Sequence, residues 1–563
     1  MSKLVKQAEN QLKEIIISAV NSAVAAGELP DQPIPPFGIE IPAERAHGDL
    51  SSNAALVSAR AFRLPPRKIA DILINRISLD GTLFESAGVA GPGFLNFRLS
   101  PAFYAGVVSD ILEQGENYGR SDFGKGRKVM VEFVSANPTG PMHMGNARGG
   151  ALGDCLASVL EAAGYDVWRE FYVNDAGNQI ENFGISLEAR YLQLFKGEDA
   201  VRLPDDAYHG EDIIEHARGF AAIYGDKYLN ADPQERRQAL INYALPLNIE
   251  KMRRDLKKYR IEYDCWFYES ALHKNGELDE TIRILSERGL TYQKEGALWY
   301  RASEYGGEKD EVLVRANGNP TYFAADIAYH RNKFARGFDL CINVWGTDHH
   351  GHVARMKGAM DAIGLDGSKL EVVLIQLVRL MRGGEVVRMS KRTGKAIQLS
   401  DLLDEVPVDA ARFFFNQREA STQMDFDLEL AVEESAQNPV YYVQYAHARI
   451  CSIFRNLETE GIAPKNVSAD DLLVLTHPDE KELIRHLAGY TGEIIEAAKS
   501  FEPARITRYC LELASLFHKF YNSCRVKCED EKLMAARLAL CAAARHTLRN
   551  ALALLKINAP ESM

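Results

Sequence analysis

The sequence predicts an α/β fold: a central parallel-sheet domain, preceded by an N-terminal α+β domain and followed by a C-terminal all-α helical bundle. Three observations carry that expectation. Between residues 129 and 173 a buried apolar strand, an amphipathic helix and a second strand follow one another, the pattern of a right-handed βαβ unit. Parallel-strand signals return far downstream, in Asp339-Leu-Cys-Ile-Asn-Val-Trp345 and Leu370-Glu-Val-Val-Leu-Ile-Gln-Leu-Val378. Beyond about residue 430, strand signals almost vanish and long amphipathic stretches take over. The central part therefore reads as an open, Rossmann-like sheet.

The elements follow in order. Leu4, Ala8, Leu12, Ile15 and Ile16 recur at helical spacing, so the first residues begin a folded domain and do not resemble a secretory signal. Pro30-Asp-Gln-Pro-Ile-Pro-Pro36 must be extended or turned. A helix is expected near Pro66–Ile77 and a strand in Gly91-Pro-Gly-Phe-Leu-Asn-Phe97, while the Gly/Lys/Arg stretch 115–128 reads as a linker. In the central domain, Val129–Val134 is a strand, and Leu152, Leu156, Val159 and Leu160 mark a helix that follows Gly145 and ends at Gly164. Asp166–Val173 is the next strand. The charged, helical segment from about 185 to 260 reads as an insertion. The expected domains are 1–116, 117–430 and 431–563.

Composition narrows the function. The 563 residues are 46% hydrophobic and 26% charged, with no apolar run near the ~20 residues of a membrane span. A net charge of −12 argues against indiscriminate nucleic-acid binding. From Ala504 to Met563, however, ten Lys/Arg stand against five Asp/Glu, a local balance of +5 that could face a polyanion. The eight cysteines are scattered through apparent core positions, which suits a reducing cytoplasm. Cys524 and Cys528, four apart, are expected on one helix as packing residues, because no second Cys/His pair completes a zinc set.

Two segments carry chemistry. In Val131-Glu-Phe-Val-Ser-Ala-Asn-Pro-Thr-Gly-Pro-Met-His-Met-Gly-Asn146 a strand runs through a Pro/Gly turn to His143, with Gly145 opening a helix. Helix N–H groups and an imidazole at that place suit a phosphate. Far downstream lies Arg388-Met-Ser-Lys-Arg-Thr-Gly394, where Lys391 could clamp the β- and γ-phosphates with Ser390 alongside. Together they point to adenylate formation from ATP, a reaction that needs positioning and charge stabilisation more than covalent help. Gly346-Thr-Asp-His-His-Gly-His352 follows a strand at its carboxyl edge, where Asp348 could accept hydrogen bonds from a ribose. His349, His350 and His352 are too local a cluster for a metal site, and none is expected. Glu132 interrupts an apolar strand, while Tyr322 and Asp326, four apart, share a helix face. Two carboxylates and a phenol would suit a guanidinium, although each residue alone also fits a local salt bridge.

These residues resemble a family. Ala136–Asn146 is similar to the HIGH region of class I aminoacyl-tRNA synthetases, in the extended form of arginyl-tRNA synthetases. Phe171–Gln179, Tyr322–Asp326, the Trp-Gly-Thr-Asp-His segment at Trp345 and the KMSKS-like Arg388–Arg392 resemble further segments of that family. So do Tyr442–Arg449, which opens a helical anticodon-binding domain, and the closing Pro560–Met563. The N-terminal unit is similar to the added domain that contacts the tRNA elbow. The resemblance implies two steps: arginine and ATP give arginyl-adenylate, and the arginyl group passes to the 3′-terminal adenosine of tRNA. It implies that Glu132, Tyr322 and Asp326 hold the guanidinium and that Ser135, Asn137 and His143 contact arginine or ATP. Gly145 and Asn146 would lie by the adenine, Gly346 and Asp348 along the nucleotide, and Lys391 by the phosphates. Magnesium is expected with ATP, tRNA is expected to be needed for activation, and a monomer is expected. Two departures stand out: Asn146 replaces the last His of HIGH and Arg388 the first Lys of KMSKS. Two other readings remain at this point: a nucleotidyltransferase of the same fold acting on another cationic acid, and a non-catalytic tRNA-binding paralogue.

Overall fold

The computed structural model describes residues 3–387, 397–462 and 465–563. A first helix, Lys3–Ala25, buries Leu12, Ile16, Ala19 and Val20 along one stripe. It packs beside a four-stranded antiparallel sheet of Ile39–Glu40, Leu50–Ser52, Phe94–Leu99 and Phe84–Ala90, in that order. The expected proline-led helix is present as Pro66–Ile74.

The centre is a five-stranded, wholly parallel sheet: β1 (Lys128–Glu132), β2 (Asp166–Val173), β3 (Cys265–Tyr268), β4 (Leu340–Gly346) and β5 (Leu370–Ile375). Its spatial order is β5-β4-β1-β2-β3. The chain winds outward from β1 in one direction, then returns to β4 on its other side. That reversal opens a crevice at the carboxyl ends of β1 and β4. Helix α1 (Met144–Ala162) follows β1 and is almost wholly buried. A Cβ on Gly153 would stand 2.4 Å from the Phe133 ring, so a glycine is required for the close approach of helix to strand.

The insertion after β2 consists of helices Asn178–Lys196, Glu211–Tyr224 and Pro233–Lys258, with a separate core of Phe183, Leu187, Tyr191, Phe220 and Leu240. A small antiparallel sheet (Thr291–Lys294, Ala297–Tyr300, Glu311–Val314) precedes α2 (Tyr322–Ala335). These short strands carry little periodicity and were not legible in the sequence. Helix α3 (His350–Ala362) follows β4.

Two expectations are corrected. The run Leu370–Val378 is not one strand: β5 ends at Ile375, and Val378–Arg382 belongs to another sheet, paired in parallel with Met424–Asp427. The break falls at Gln376, whose N–H is taken by the Ala420 carbonyl instead of the β4 ladder. Leu377 is then exposed, an apolar residue that the pattern had placed inside. Cys524 and Cys528 do not share a helix, because Ala504–Ser523 ends with Cys524 in extended conformation and Cys528 lies in the following turn.

The C-terminal helices Pro439–Thr459, Pro478–Ser500, Ala504–Ser523 and Glu531–Leu554 pack on one another and on α1. Buried Arg412 joins this region to the centre, donating to Asp154 Oδ2 (2.6 Å) and to the carbonyls of Tyr259 and Leu555. The last residues are held by side chains: Arg260 donates to the Lys556 carbonyl, the His447 ring to that of Pro560, and Arg455 to that of Glu561. Much of the basic excess after Ala504 is paired, as in Arg505–Glu493, Lys519–Asp479 and Arg537–Glu480. Among the described residues no helix is long and apolar enough to cross a membrane.

Candidate active site

The loop after β1 starts in strained backbone. Val134 and Ser135 have φ of +68° and +41°, and the Ser135 N–H reaches back to the Phe133 carbonyl. A β-branched residue in the left-handed region is held only by its surroundings, a strain found at functional sites. This turn directs the chain across the sheet's carboxyl edge to His143.

His143 is the N-cap of α1, so the helix starts one residue before Gly145. Its Nδ1 accepts from the Gly145 N–H (3.2 Å), and Asn146 Oδ1 accepts from the His143 N–H (3.1 Å), a reciprocal capping box. Burial holds the imidazole below its ordinary pKa, so the ring is neutral near pH 7. With Nδ1 accepting, the proton sits on Nε2, which becomes a donor. Asn146 thus has a structural task here that a cationic imidazole in its place would perform less well.

A cleft of about 950 Å³ lies at this edge. One wall carries Ser135, Asn137, His143, Gly145 and Asn146; the other carries Trp345, Gly346, Asp348 and Gln376–Val378. The structure therefore brings the His143 segment and the Gly346–Asp348 segment to one rim. Lys391, Ser390 and Arg388 lie outside the described residues. Described residues just after that stretch bond the neighbours of His143: the Met144 N–H donates to the Ile397 carbonyl (2.9 Å), and the Leu399 N–H to that of Met142. Val387 and Ile397 line a recess together with His143 and Gly145.

Behind the cleft is an acidic recess. Asp326, about one-third exposed, accepts from His352 Nε2 (3.1 Å), while His352 Nδ1 takes a bond from Arg355. The His352 ring rests against Trp345 of the cleft wall, 5.4 Å between centroids. Tyr322 accepts the Gln179 N–H at its hydroxyl (3.3 Å) and lines a recess with Gly177, Asn178 and Glu269.

Glu132 departs from expectation. It is buried, Lys333 Nζ lies 2.5 Å from its Oε2, and Ser135 Oγ donates to Oε1 (2.9 Å). Lys333, fully buried on α2, also donates to Asn343 of β4, which donates in turn to His330. The Glu132 charge is thus paired with a cation from the same chain.

A second carboxylate, Glu269, which the sequence reading missed, lies in the recess with Tyr322. This buried carboxylate follows β3 and accepts from the Tyr172 hydroxyl (2.9 Å). Burial, reinforced by the charges of Asp326 and Asp175, pushes its pKa up to about 7 even though the Tyr172 bond pulls the other way. Tyr172 joins the two parts, its N–H donating to Ser135 Oγ (3.1 Å) at the cleft. A carboxylate raised by burial and like charges favours a cation beside it, and His273 Nε2 stands 3.8 Å from Oε1. Only its place after a Cys-Trp-Phe-Tyr strand, at a sheet's carboxyl edge, could have signalled it.

The C-terminal helices present a second surface. Tyr441 and Tyr445 stack (6.4 Å, 7° between planes), His518 lies against Tyr445, and Arg449 covers Tyr521 at 4.5 Å. Stacked rings beside cations suit unpaired nucleic-acid bases.

Comparison with known proteins agrees with this geometry. Residues 107–454 match the catalytic domain of class I tRNA synthetases (R), residues 10–99 the arginyl-tRNA synthetase N-terminal domain, and residues 443–563 the DALR anticodon-binding domain. The arginine–tRNA ligases of Ruminiclostridium cellulolyticum and Acetivibrio thermocellus are each 56% identical to this chain over the full length of both proteins. The fold is similar to that of the solved arginyl-tRNA synthetase of Thermus thermophilus, at 24% identity, a TM-score of 0.71, and coverage of 97% of this chain and 99% of that one. With a family model spanning more than half its length and full-length relatives at this identity, the chain belongs to the class I arginyl-tRNA synthetase family.

Proposed function

We propose that the protein activates L-arginine with ATP and transfers the arginyl group to the 3′ end of its tRNA. The observation that carries this reading is the pairing of an acidic recess with a phosphate-suited helix N-terminus at one sheet edge. The guanidinium lies between Asp326 and Glu269, with the Tyr322 and Tyr172 hydroxyl oxygens accepting from its remaining N–H groups. Glu132 acts indirectly, fixing Ser135 at the junction of the two pockets.

ATP occupies the cleft. Its adenosine lies between Gly145–Asn146 and the Gln376–Val378 edge, its ribose faces Gly346 and Asp348, and its phosphates face His143. The arginine carboxylate attacks the α-phosphorus in line and pyrophosphate departs. His143 donates from Nε2 to phosphate oxygen, the α1 N-terminus adds its dipole, and Lys391 supplies charge. The 3′-terminal hydroxyl of tRNA then attacks the arginyl carbonyl and AMP leaves. Asn137 and Ser135 orient the arginine backbone. Magnesium accompanies the triphosphate, which supplies oxygen ligands of its own. The stacked Tyr441–Tyr445 face receives anticodon bases. One chain carries every part of this cycle, which is consistent with a monomer working in the cytoplasm.

The test is arginine-dependent exchange of pyrophosphate into ATP, with and without tRNA. Exchange that requires arginine and rises with tRNA is expected. Exchange driven by a different cationic acid would assign another substrate. Tight tRNA binding with no exchange would leave a non-catalytic binder.

A further inference from the structure

Arg148, in the second turn of α1, is fully buried and, among the described residues, is held only by carbonyl groups. Its Nη1 donates to the carbonyls of Gln376 (2.8 Å) and Thr422 (2.9 Å), its Nη2 donates to that of Glu419 (2.8 Å), and Nε has no acceptor among the described residues. The other deeply buried arginines are spent on ion pairs, Arg412 with Asp154 and Arg236 with Glu188. A buried cation that forgoes a carboxylate carries a desolvation cost without Coulombic return, so its three bonds serve geometry.

One of these carbonyls, that of Gln376, belongs to a wall of the cleft, and the other two flank Ala420, which bonds Gln376 in turn. Three polar groups of Gln376 are engaged: the N–H by the Ala420 carbonyl, the carbonyl by Arg148, and the side-chain oxygen by Thr347 at 3.5 Å. The chain leaves β5 here, and Gln376, Leu377 and Val378 face Gly145 and Asn146 across the cleft. We propose that Arg148 is a positioning residue for the nucleotide, setting the gap between the N-terminus of α1 and the Gln376–Val378 edge that receives the adenosine of ATP. The inference rests on the placement of ATP given above.

The experiment compares wild-type protein with Arg148→Lys and Arg148→Gln, measuring thermal midpoint and the KM for ATP and for arginine in tRNA-supported pyrophosphate exchange. Lysine can reach one of the carbonyls but not all three. A rise of about tenfold or more in the ATP KM, with the arginine KM within twofold and the thermal midpoint near wild type for Arg148→Lys, is expected. Unchanged constants overturn the proposal, as do constants that rise together or loss of folded protein in both variants, which would assign Arg148 to the core alone. Asn146→Ala is run alongside: if it too leaves the ATP KM unchanged, the placement of ATP fails; if it responds and Arg148→Lys does not, only the present proposal falls.

Discussion

Glu269 gives the acidic recess a measurable signature in pH. In the free protein its carboxyl is raised from an ordinary 4.5 to about 7. At 1.36 kcal/mol per pH unit, that elevation is a penalty of about 3 kcal/mol on the charged form. The native state therefore binds the proton more tightly than the unfolded chain, and the sign follows: this residue's contribution to stability is fully present below pH ~4.5 and is lost as pH rises through ~7. Arginine reverses the balance, because a guanidinium between Glu269 and Asp326 favours the carboxylate. Free protein must shed the Glu269 proton before binding, so arginine Kd should be about tenfold weaker at pH 6 than at pH 8, levelling off above pH ~8. Isothermal titration of arginine across that range, in two buffers of different ionisation enthalpy, reports both the affinity and the proton released. Glu269→Gln should bind arginine more weakly at pH 8 and lose the pH slope. A wild-type Kd that is flat from pH 6 to 8, or a slope that survives in Glu269→Gln, would refute the reasoning.

Three further outcomes are expected. Asp326→Ala removes one carboxylate and should weaken arginine by roughly 2–5 kcal/mol while sparing the ATP KM, read in the exchange assay; an unchanged arginine KM would remove Asp326 from the site. Lys391→Ala should slow adenylate formation roughly 100-fold or more in single-turnover measurements, because its charge acts mainly in the transition state; near-normal turnover would strip it of that role. Lys333→Met leaves Glu132 charged and buried without its cation, so urea unfolding should show a loss of about 3–5 kcal/mol. Wild-type stability in that variant would mean that the pair is not the anchor beneath the recess.

Local periodicity and turn chemistry determined a good deal about this protein. The apolar run of β1, the spacing of Leu152, Leu156, Val159 and Leu160 in α1 and the Asp166–Val173 strand are all near-neighbour signals, so they survive in one dimension. The same holds for the His143–Gly145 turn and for Tyr322 and Asp326 on one helix face. What only the tertiary structure decided involves partners far apart in the chain. Glu132 meets Lys333 across 201 positions and Tyr172 meets Glu269 across 97, so neither the neutralised carboxylate nor the uncompensated one can be read from its neighbours. The strand break at Gln376 has the same cause: Ala420 takes its backbone N–H and Arg148 its carbonyl, and no pattern within Leu370–Val378 encodes them. A sequence displays which side chains are ionisable, but burial and the approach of distant charges settle which of them is ion-paired and which has its pKa raised.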